Sequence, residues 1–275
     1  WFNVENTGEL RLLNDLAASR GRTAQVALRL NPDVSASTHR HIATGHGGAK
    51  FGLSAAVVRD ILARQADYPN IRFDGVHIHI GSQLHDTQAT LSAVRAALDV
   101  IAPYPTMRTV NIGGGLPVAY AQAETIPDWN DFAAALTPLL KGYTVLLEPG
   151  RSIIADAGLL VVSVLYCKQQ AGQTFVITDG SMAELLRPAL YEAYHEIVPV
   201  ILPSPPSPLP HGEVGKIHIV GPVCETTDVL GRDRHLPDVQ PGDHLAILTT
   251  GAYGMVMASN YNQRPRPPEV AVAED

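Results

Sequence analysis

The sequence has little of what would direct a protein to a membrane, to nucleic acid or out of the cell. No apolar run reaches the roughly 18 residues of a membrane span. Its 20 Lys and Arg against 27 Asp and Glu give a net charge of -7, with no basic cluster of the kind that nucleic acid requires. Two cysteines, Cys167 and Cys224, are too few for a disulfide framework and lack metal-ligand spacing. We predict a cytoplasmic protein that binds small molecules, without metal, nucleic acid or membrane partners.

The start of the sequence has neither a methionine nor the residue pattern of a signal peptide. It opens with Trp1, and WFNVENTGEL has no basic region followed by an apolar stretch. These first residues already have the pattern of a strand end followed by a helix start. We therefore expect the chain to be a piece of a longer protein.

Short apolar runs alternate with longer helical patterns over residues 1–158. The predicted strands are FNV, AQVALRL, GVHIHI, TVNIG and YTVLLE, and Thr7 is the predicted N-cap of the first helix. Strands linked in this way are parallel and covered by helices. The pattern predicts an α/β fold with a (β/α)8 barrel of the TIM type, whose remaining strands of the usual eight or so we expect before Trp1.

Residues 159–275 have a different pattern, with strands joined by hairpin-like or irregular links. They predict an antiparallel β domain that lacks its last elements. The proline-rich residues 203–210 cannot join a sheet interior, so we predict an exposed loop, with a domain linker as the alternative.

Several predicted strands of the first region end in polar residues or glycine, in RLNPD, HIGSQ, NIGGGLP and LEPGR. Ligands bind at the carboxyl-terminal edge of a parallel barrel. In VHIHIGS, strand alternation predicts that His77 and His79 share one face. Such a pair can stack on a flat cofactor, form hydrogen bonds in the core or bind a metal, although no acidic or thiol partner lies at a suitable spacing.

Two glycine-containing segments suit an anion or a charged ring. Gly113, Gly114 and Gly115 allow backbone N–H groups to approach phosphate, but a tight turn explains them equally well. Glu148 and Arg151 flank a Pro-Gly turn; they suit a protonated ring nitrogen and an acidic group, or else a local ion pair that rigidifies the turn.

Two segments of the second region carry further candidates. In GPVCETTDVLGRD, Cys224 beside Glu225 and Asp228 suits a proton donor or a substrate clamp, or else a strand end with a buried thiol. Tyr253, between glycines in TTGAYG, suits a hydrogen bond to phosphate or a packed turn.

Six stretches occur together in an order that resembles the diaminopimelate decarboxylases. They are HIHIGSQ, NIGGGLPVAY, LLEPGRSIIADAG, DGSMAELLRPALYEAYHEI, GPVCETTDVLGRDR and GAYGMVMASNYNQRPRPPEV. The resemblance covers nearly the whole chain. It implies a pyridoxal-phosphate enzyme, with an alanine-racemase-like barrel and a β domain, that converts meso-2,6-diaminopimelate to L-lysine and CO2 in the last step of lysine biosynthesis.

The resemblance also implies roles for the residues of the first region. His79 stacks on the pyridine ring, and His77 supports it from the same face. Ser82 and the glycines Gly113–Gly115 contact the phosphate. Glu148 keeps the ring nitrogen protonated, which makes the ring an electron sink.

For the substrate, the resemblance implies that Arg151, Arg187 and Tyr191 hold the remote carboxylate and that Glu225 receives the remote ammonium group. It further implies that Tyr253 contacts both the cofactor and the substrate.

Cys224 is the implied proton donor. Because Cys224 and Glu225 come from the neighbouring subunit in this family, the resemblance implies a homodimer with shared active sites.

The sequence departs from the family at the lysine that carries the cofactor. The available lysines, none in the family's lysine motif, are Lys50, Lys141, Lys168 and Lys216. We expect the missing lysine upstream, and a 275-residue fragment that is inactive and folds poorly. Two alternatives stay open. One is a decarboxylase of ornithine, arginine or another amino acid, and the other is a non-catalytic, cofactor-binding or regulatory homologue.

Overall fold

The computed structural model describes residues 1–34, 50–200 and 217–273. Their contacts divide the chain into two compact units. The first unit comprises Trp1–Val118 with Thr125–Arg151, and the second comprises Ala119–Glu124 with Ser152–Asp275. The proline-rich residues 203–210 and Lys216 lie outside the described residues, and the predicted domain boundary after residue 158 stays a prediction. No helix within the described ranges is long and apolar enough to cross a membrane.

The first unit is a parallel sheet in which each strand is followed by a helix. Its strands are β1 Phe2–Val4, β2 Ala24–Arg29, β3 Ile71–His77, β4 Thr109–Asn111 and β5 Thr144–Leu146. Its helices are α1 Thr7–Ser19, α2 Ala55–Ala63, α3 Gln88–Ile101 and α4 Trp129–Leu140. A further short helix, α5 Arg151–Ile154, begins at the last residue of the first unit. The strands are neighbours in sequence order, as in the wall of a β/α barrel.

The sheet of the first unit is curved rather than flat. Five flat strands at a spacing of about 4.8 Å would separate the edge strands by roughly 19 Å. Yet Asn3 of β1 donates a hydrogen bond of 2.9 Å to Glu148, which follows β5. The two edges therefore approach each other at their carboxyl ends, which agrees with the predicted barrel wall.

Helix α1 begins one residue earlier than predicted. Thr7 is its first residue, and the N-cap is Asn6, whose side-chain oxygen accepts the Glu9 N–H at 2.8 Å. The carboxylate of Glu9 in turn accepts the Glu5 N–H at 2.7 Å, so side chains satisfy two exposed donors. The prediction of Thr7 as the N-cap was wrong because Asn6, a better acceptor for this position, precedes it.

Strand β3 also differs from its prediction, since it starts at Ile71 and ends at His77. His79 lies beyond the strand, so alternation along a strand does not place it on the face of His77. The core of this unit includes the fully buried Val26 and Leu28 of β2 together with Val58 of α2 and Val94 of α3.

The second unit is a six-stranded sheet with one short helix. Its elements are β6 Leu160–Gln170, β7 Gln173–Thr178, α6 Arg187–Tyr191, β8 Ile197–Pro199, β9 Ile217–Val220, β10 Val229–Arg234 and β11 His244–Ile247. The strand order is β10-β9-β7-β6-β11-β8. All pairings are antiparallel except β7 with β9, which is parallel. The predicted antiparallel domain is thus confirmed apart from one pairing, whose strands are separated by α6 and β8.

Candidate functional site

A carboxylate in the first unit is held by amides from two strands. Glu148 lies two residues beyond β5, and its Oε1 accepts hydrogen bonds from Asn111 Nδ2 at 2.7 Å and from Asn3 Nδ2 at 2.9 Å. Its Oε2 has no hydrogen-bond partner among the described residues. The side chain is 44% exposed, so this second oxygen can accept a proton donor of a ligand. Neither asparagine was a predicted site residue: Asn111 contacts Glu148 from the adjacent strand β4, and the curvature of the sheet brings Asn3 of β1 to the same carboxylate.

His77 lies beside this carboxylate but is not charged by it. Its Nε2 is 3.7 Å from Glu148 Oε1, and neither ring nitrogen has a hydrogen-bond partner among the described residues. Burial, with smaller contributions from Arg29 and His79, lowers the pKa of His77 to about 4 and outweighs the opposing effect of Glu148. At neutral pH His77 is therefore an uncharged, buried ring.

His79 is also neutral, and its tautomer follows from one contact. The Gly114 N–H donates to His79 Nδ1 at 3.2 Å, so the ring proton resides on Nε2. Burial lowers the pKa of His79, and Arg29 adds to the effect. A neutral, half-buried imidazole offers a flat face of the kind that stacks on an aromatic ring.

The three glycines are required by close packing of the strand ends. A Cβ on Gly113 would meet the Ile78 carbonyl at 2.6 Å, one on Gly114 the Glu148 carbonyl at 2.5 Å, and one on Gly115 the Gly81 carbonyl at 2.7 Å. Gly113 and Gly115 also have positive φ angles of 71° and 104°. The tight-turn interpretation thus accounts for all three residues.

Two of the three glycine N–H groups already have partners within the first unit. Gly113 N–H donates to Asn111 Oδ1 at 2.9 Å, and Gly114 N–H donates to His79. The Gly115 N–H has no partner among the described residues. Phosphate binding by the whole segment stays a prediction, and Gly115 is its best-placed donor.

A serine and a buried arginine form a pair near these strand ends. Arg151, the first residue of α5, donates to Ser82 Oγ from Nε at 3.2 Å and from Nη2 at 3.1 Å. The arrangement places a positive charge against a hydroxyl group, which suits an anionic ligand. Arg151 and Glu148 therefore bind different partners, which disfavours the local ion pair.

In the second unit, Arg187 lies in a buried aromatic setting. Its Nη1 donates to His195 Nε2 at 2.7 Å, and His195 Nδ1 donates to the Leu248 carbonyl at 2.8 Å. The guanidinium carbon lies 4.3 Å from the ring centroid of Tyr120. Tyr191, at the end of the same short helix, is half-buried. His195 and Tyr120 were not predicted, since only tertiary contacts identify them.

Cys224 and Glu225 lie on an exposed loop between β9 and β10. Asn262 Nδ2 lies 3.8 Å from Cys224 Sγ, and the Tyr261 hydroxyl donates to Glu225. This hydrogen bond raises the pKa of the Tyr261 phenol. Because Cys224 is exposed, the alternative of a buried thiol at a strand end is wrong.

The loop that carries Cys224 is anchored by a buried carboxylate. Asp228 accepts the Met182 N–H and the Val223 N–H, both at 2.7 Å. A Cβ on Gly221 would meet Asp228 Oδ2 at 2.3 Å, so that glycine makes room for the carboxylate. The segment beyond Met182 is held in turn by Glu184.

Glu184 connects this segment to the C-terminal residues of the unit. Its Oε2 accepts the N–H and the hydroxyl of Ser181 at 2.7 and 2.6 Å, and its Oε1 accepts Arg264 Nε at 3.0 Å. Arg264 follows Tyr261 and Asn262, which contact the Cys224 loop. The Cys224 loop, the segment 181–184 and the segment 261–264 are therefore each bound to the other two. The sequence alone does not indicate this network, because each hydrogen bond joins segments that are distant along the chain.

Tyr253 lies on a turn in a left-handed conformation, with φ of 60° and 39% of its surface exposed. A Cβ on Gly251 would meet the Ile154 carbonyl at 2.0 Å, and one on Gly254 the Thr250 carbonyl at 2.3 Å. The turn therefore requires both glycines and presents the tyrosine to solvent.

Within the described ranges, no group of three or more His, Cys, Asp or Glu side chains is arranged to hold a metal ion. Lys50 and Lys168 lie over the rings of Phe51 and Phe175, at 5.1 and 5.6 Å from the centroids. Lys141 is the C-cap of α4.

The chain is similar to known amino-acid decarboxylases. The Haemophilus influenzae diaminopimelate decarboxylase is 42% identical over 281 residues, covering 100% of this chain and 66% of the relative. A crystal structure of the Helicobacter pylori diaminopimelate decarboxylase complexed with L-lysine is 37% identical with a TM-score of 0.86, covering 96% of this chain and 66% of that chain. A Vibrio vulnificus lysine/ornithine decarboxylase complexed with cadaverine is 25% identical with a TM-score of 0.80, covering 99% of this chain and 70% of that chain.

The chain thus spans about two thirds of the length of these relatives. A family model described as "Pyridoxal-dependent decarboxylase, pyridoxal binding domain" matches residues 1–155, which are more than half of the chain. The resemblance inferred from the six sequence stretches is confirmed, and the chain belongs to the pyridoxal-dependent decarboxylase family.

Proposed function

We propose that the protein, at its natural length, binds pyridoxal 5'-phosphate and decarboxylates meso-2,6-diaminopimelate to L-lysine and CO2. The observation that carries the proposal is the Glu148 carboxylate, whose Oε1 is fixed by Asn111 and Asn3 while Oε2 is available. The 42% identity to a diaminopimelate decarboxylase supports the choice of substrate.

The first unit has groups that fit the ring of the cofactor. Glu148 Oε2 would accept a protonated pyridine N–H, and the two asparagine amides prevent the carboxylate from rotating away. His79 would present its neutral ring to the pyridine face, fixed by the Gly114 N–H. The cofactor, when bound, supplies an electron-accepting ring that takes up the charge left as the carboxyl group departs.

The phosphate end of the cofactor would lie near Ser82, Arg151 and Gly115. Arg151 provides positive charge through its two hydrogen bonds to Ser82. Gly115 provides a backbone N–H that a side chain would obstruct, since its neighbours leave no room for a Cβ. Gly113 and Gly114 would contribute by allowing the strand ends to approach each other.

The remaining candidates would bind the substrate. Arg187 and Tyr191 on α6, with Arg151, would hold the remote carboxylate, and Glu225 would hold the remote ammonium group. Tyr253, which is exposed on its strained turn, would contact both the substrate and the cofactor.

Cys224 would be the proton donor, and with Glu225 it would act in the partner's site of a homodimer. The exposure of both side chains on their loop supports this arrangement, because an accessible loop can reach across a subunit interface. A cytoplasmic location belongs to the same proposal, since two exposed, unlinked thiols suit a reducing compartment.

Decarboxylation of ornithine, arginine or another amino acid is the second candidate. It is favoured by the similarity to the lysine/ornithine decarboxylase, which is 25% identical, but the diaminopimelate decarboxylase of known structure is 37% identical. A non-catalytic cofactor-binding homologue is the third candidate.

Release of CO2 by the natural-length protein, loaded with pyridoxal phosphate, distinguishes these candidates. We expect kcat/KM for meso-diaminopimelate to exceed that for ornithine, arginine and lysine by on the order of 10³-fold, because a polar subsite rejects substrates that leave it unpaired. Preference for ornithine or arginine would support the second candidate. Cofactor binding without CO2 release from any of the four would support the third.

A matched pair of variants checks the proposed subsite. Glu225→Gln should raise KM for meso-diaminopimelate more than it lowers kcat, because it removes the charge opposite the remote ammonium group. Glu269→Gln, an exposed carboxylate near the C-terminus, serves as the control and should leave both constants unchanged.

A further inference from the structure

The second unit contains a cavity that none of the proposed catalytic residues lines. Its volume is about 460 Å³, within the range of small-molecule sites, and it lies between α6 and β10. Pro188 and Ala189 of the helix and Val229 and Leu230 of the strand provide apolar walls. Arg234 provides the charge.

Arg234 is a buried cation without a hydrogen-bond acceptor among the described residues. Its residue surface is 8% exposed, and its Nε is fully buried without a partner among the described residues. It forms no ion pair with them either; the guanidinium carbon lies 3.7 Å from the ring centroid of Tyr194. Buried charges are normally paired, so stacking alone leaves this guanidinium incompletely compensated.

The local backbone is built to hold this side chain in the cavity wall. A Cβ on Gly231 would meet Arg234 Nε at 2.6 Å, so the glycine provides the space that the guanidinium occupies. Asp233 between them has a positive φ of 52°, and the pairing of β10 with β9 is irregular here. The irregular strand brings both Arg232 and Arg234 to the same cavity.

The charged side chains around the cavity favour an anion of low net charge. Arg232 is exposed on the cavity lining and adds positive charge, while Glu192 is exposed on the lining and adds negative charge. Burial lowers the pKa of Arg234, and the opposing effects of Tyr194 and Glu196 are smaller. The Tyr194 hydroxyl donates to the Glu196 carboxylate at 3.0 Å, so that carboxylate is already engaged.

We propose that this cavity binds a small organic anion whose single carboxylate or phosphate group pairs with Arg234 and whose apolar part contacts Pro188 and Leu230. A planar guanidinium binds either oxyanion in the same forked geometry. The ligand would contact α6 through Pro188 and Ala189. The same helix carries Arg187 and Tyr191, which are proposed to bind the substrate. The inference itself does not depend on the proposed activity.

Nuclear magnetic resonance of arginine Nε–H groups in the cofactor-loaded protein tests the site directly. The probes are inorganic phosphate and butyrate, each added at constant ionic strength with chloride as the reference anion. We expect a saturable shift of the Arg234 Nε–H signal, which is assigned by its loss in Arg234→Lys. A shift with butyrate alone identifies a carboxylate ligand, one with phosphate alone a phosphate ligand, and one with both the shared oxyanion chemistry.

Variants separate this site from others. Arg234→Lys keeps the charge but loses the fork, and it should weaken binding about tenfold when followed by calorimetry. Arg187→Gln and the exposed Arg59→Gln should leave the Arg234 shift unchanged. The absence of a saturable shift, or an equal shift with chloride, would overturn the proposal. Because no readout is enzymatic, failure here is distinct from failure of the proposed decarboxylation.

Discussion

The two units position their candidate groups in different ways. In the first unit, Glu148, His77 and Asn111 lie at or just beyond the ends of parallel strands, and side chains from neighbouring strands fix one another. In the second unit, Cys224 and Glu225 lie on a loop, and a buried carboxylate that accepts backbone N–H groups holds that loop in place. A parallel sheet thus positions polar groups through strand register, whereas a loop needs dedicated anchors.

The strongest test of the strand-end arrangement is Glu148→Gln. The amide keeps the size of the side chain but cannot hold a proton on the pyridine nitrogen. We expect kcat to fall by about 10²–10³-fold, the usual effect of removing one group that stabilises charge in a reaction. Decarboxylation by the cofactor-loaded protein measures it, with Glu269→Gln as the control. Retention of more than a tenth of the activity would remove Glu148 from this role.

The anchor of the loop is tested by Asp228→Ala. The substitution leaves the N–H groups of Met182 and Val223 without their acceptor. We therefore expect the free energy of unfolding to fall by about 2–4 kcal/mol. Urea denaturation gives this value. Exposed Asp156→Ala is the control and should change stability by less than about 0.5 kcal/mol. In Asp228→Asn, one oxygen still accepts, so the loss should be intermediate; a loss equal to that of the control would contradict the anchoring role.

The buried neutral histidine of the first unit makes stability depend on pH. The folded-state pKa of His77 is about 4, below its ordinary value of 6.5. Between pH 4 and pH 6.5 the unfolded chain binds more protons than the folded chain does. The contribution of His77 to the free energy of unfolding is therefore complete above about pH 6.5 and is lost as the pH falls towards 4. We expect it to reach about 2–3 kcal/mol.

Denaturation midpoints of the native protein and His77→Gln at pH 7 and pH 4.5 measure this contribution. The variant should lose less stability on acidification than the native protein does. Exposed His235→Gln serves as the control and should behave as the native protein. Parallel losses in native protein and His77→Gln would show that His77 is not the group responsible.

The smallest effect concerns the proposed sharing of sites between subunits. If Glu148 and Cys224 act in one site but come from different subunits, inactive Glu148→Gln and Cys224→Ala proteins should complement each other when mixed. Random exchange gives half heterodimers, each with one intact site, so about a quarter of the native activity should return. Size-exclusion chromatography checks that exchange occurs. Exchange without any recovery would place both residues of each site in one subunit.

The sequence predicted the elements with strong periodicity. The five parallel strands and α1 to α4 lie where apolar runs and helical patterns indicated. Three short elements, α6, β8 and β10, were missed: α6 is little more than one turn, β8 is followed closely by prolines, and glycine and charged residues interrupt the apolar pattern of β10. The end of β3 was placed wrongly because the alternating residues of VHIHI continue beyond its last pairing at His77.

Candidate residues were easier to identify than their partners. Glu148, His79 and Arg151 stand out because polar residues end apolar runs. Asn3 could not be linked to Glu148 from sequence, since their contact depends on curvature of the sheet. The parallel pairing of β7 with β9 likewise depends on a connection whose path no local pattern encodes.

The hydrogen bond from Asn3 to Glu148 joins residues that are 145 positions apart. Chain entropy makes such a contact one of the last to form, because almost the whole first unit must be ordered before the two side chains meet. We therefore expect Glu148 to acquire its final orientation, with both asparagines bound, late in the folding of this unit. The affinity for a protonated ring should then develop late on the folding pathway, so that a partly folded chain would not hold a cofactor ring at this carboxylate.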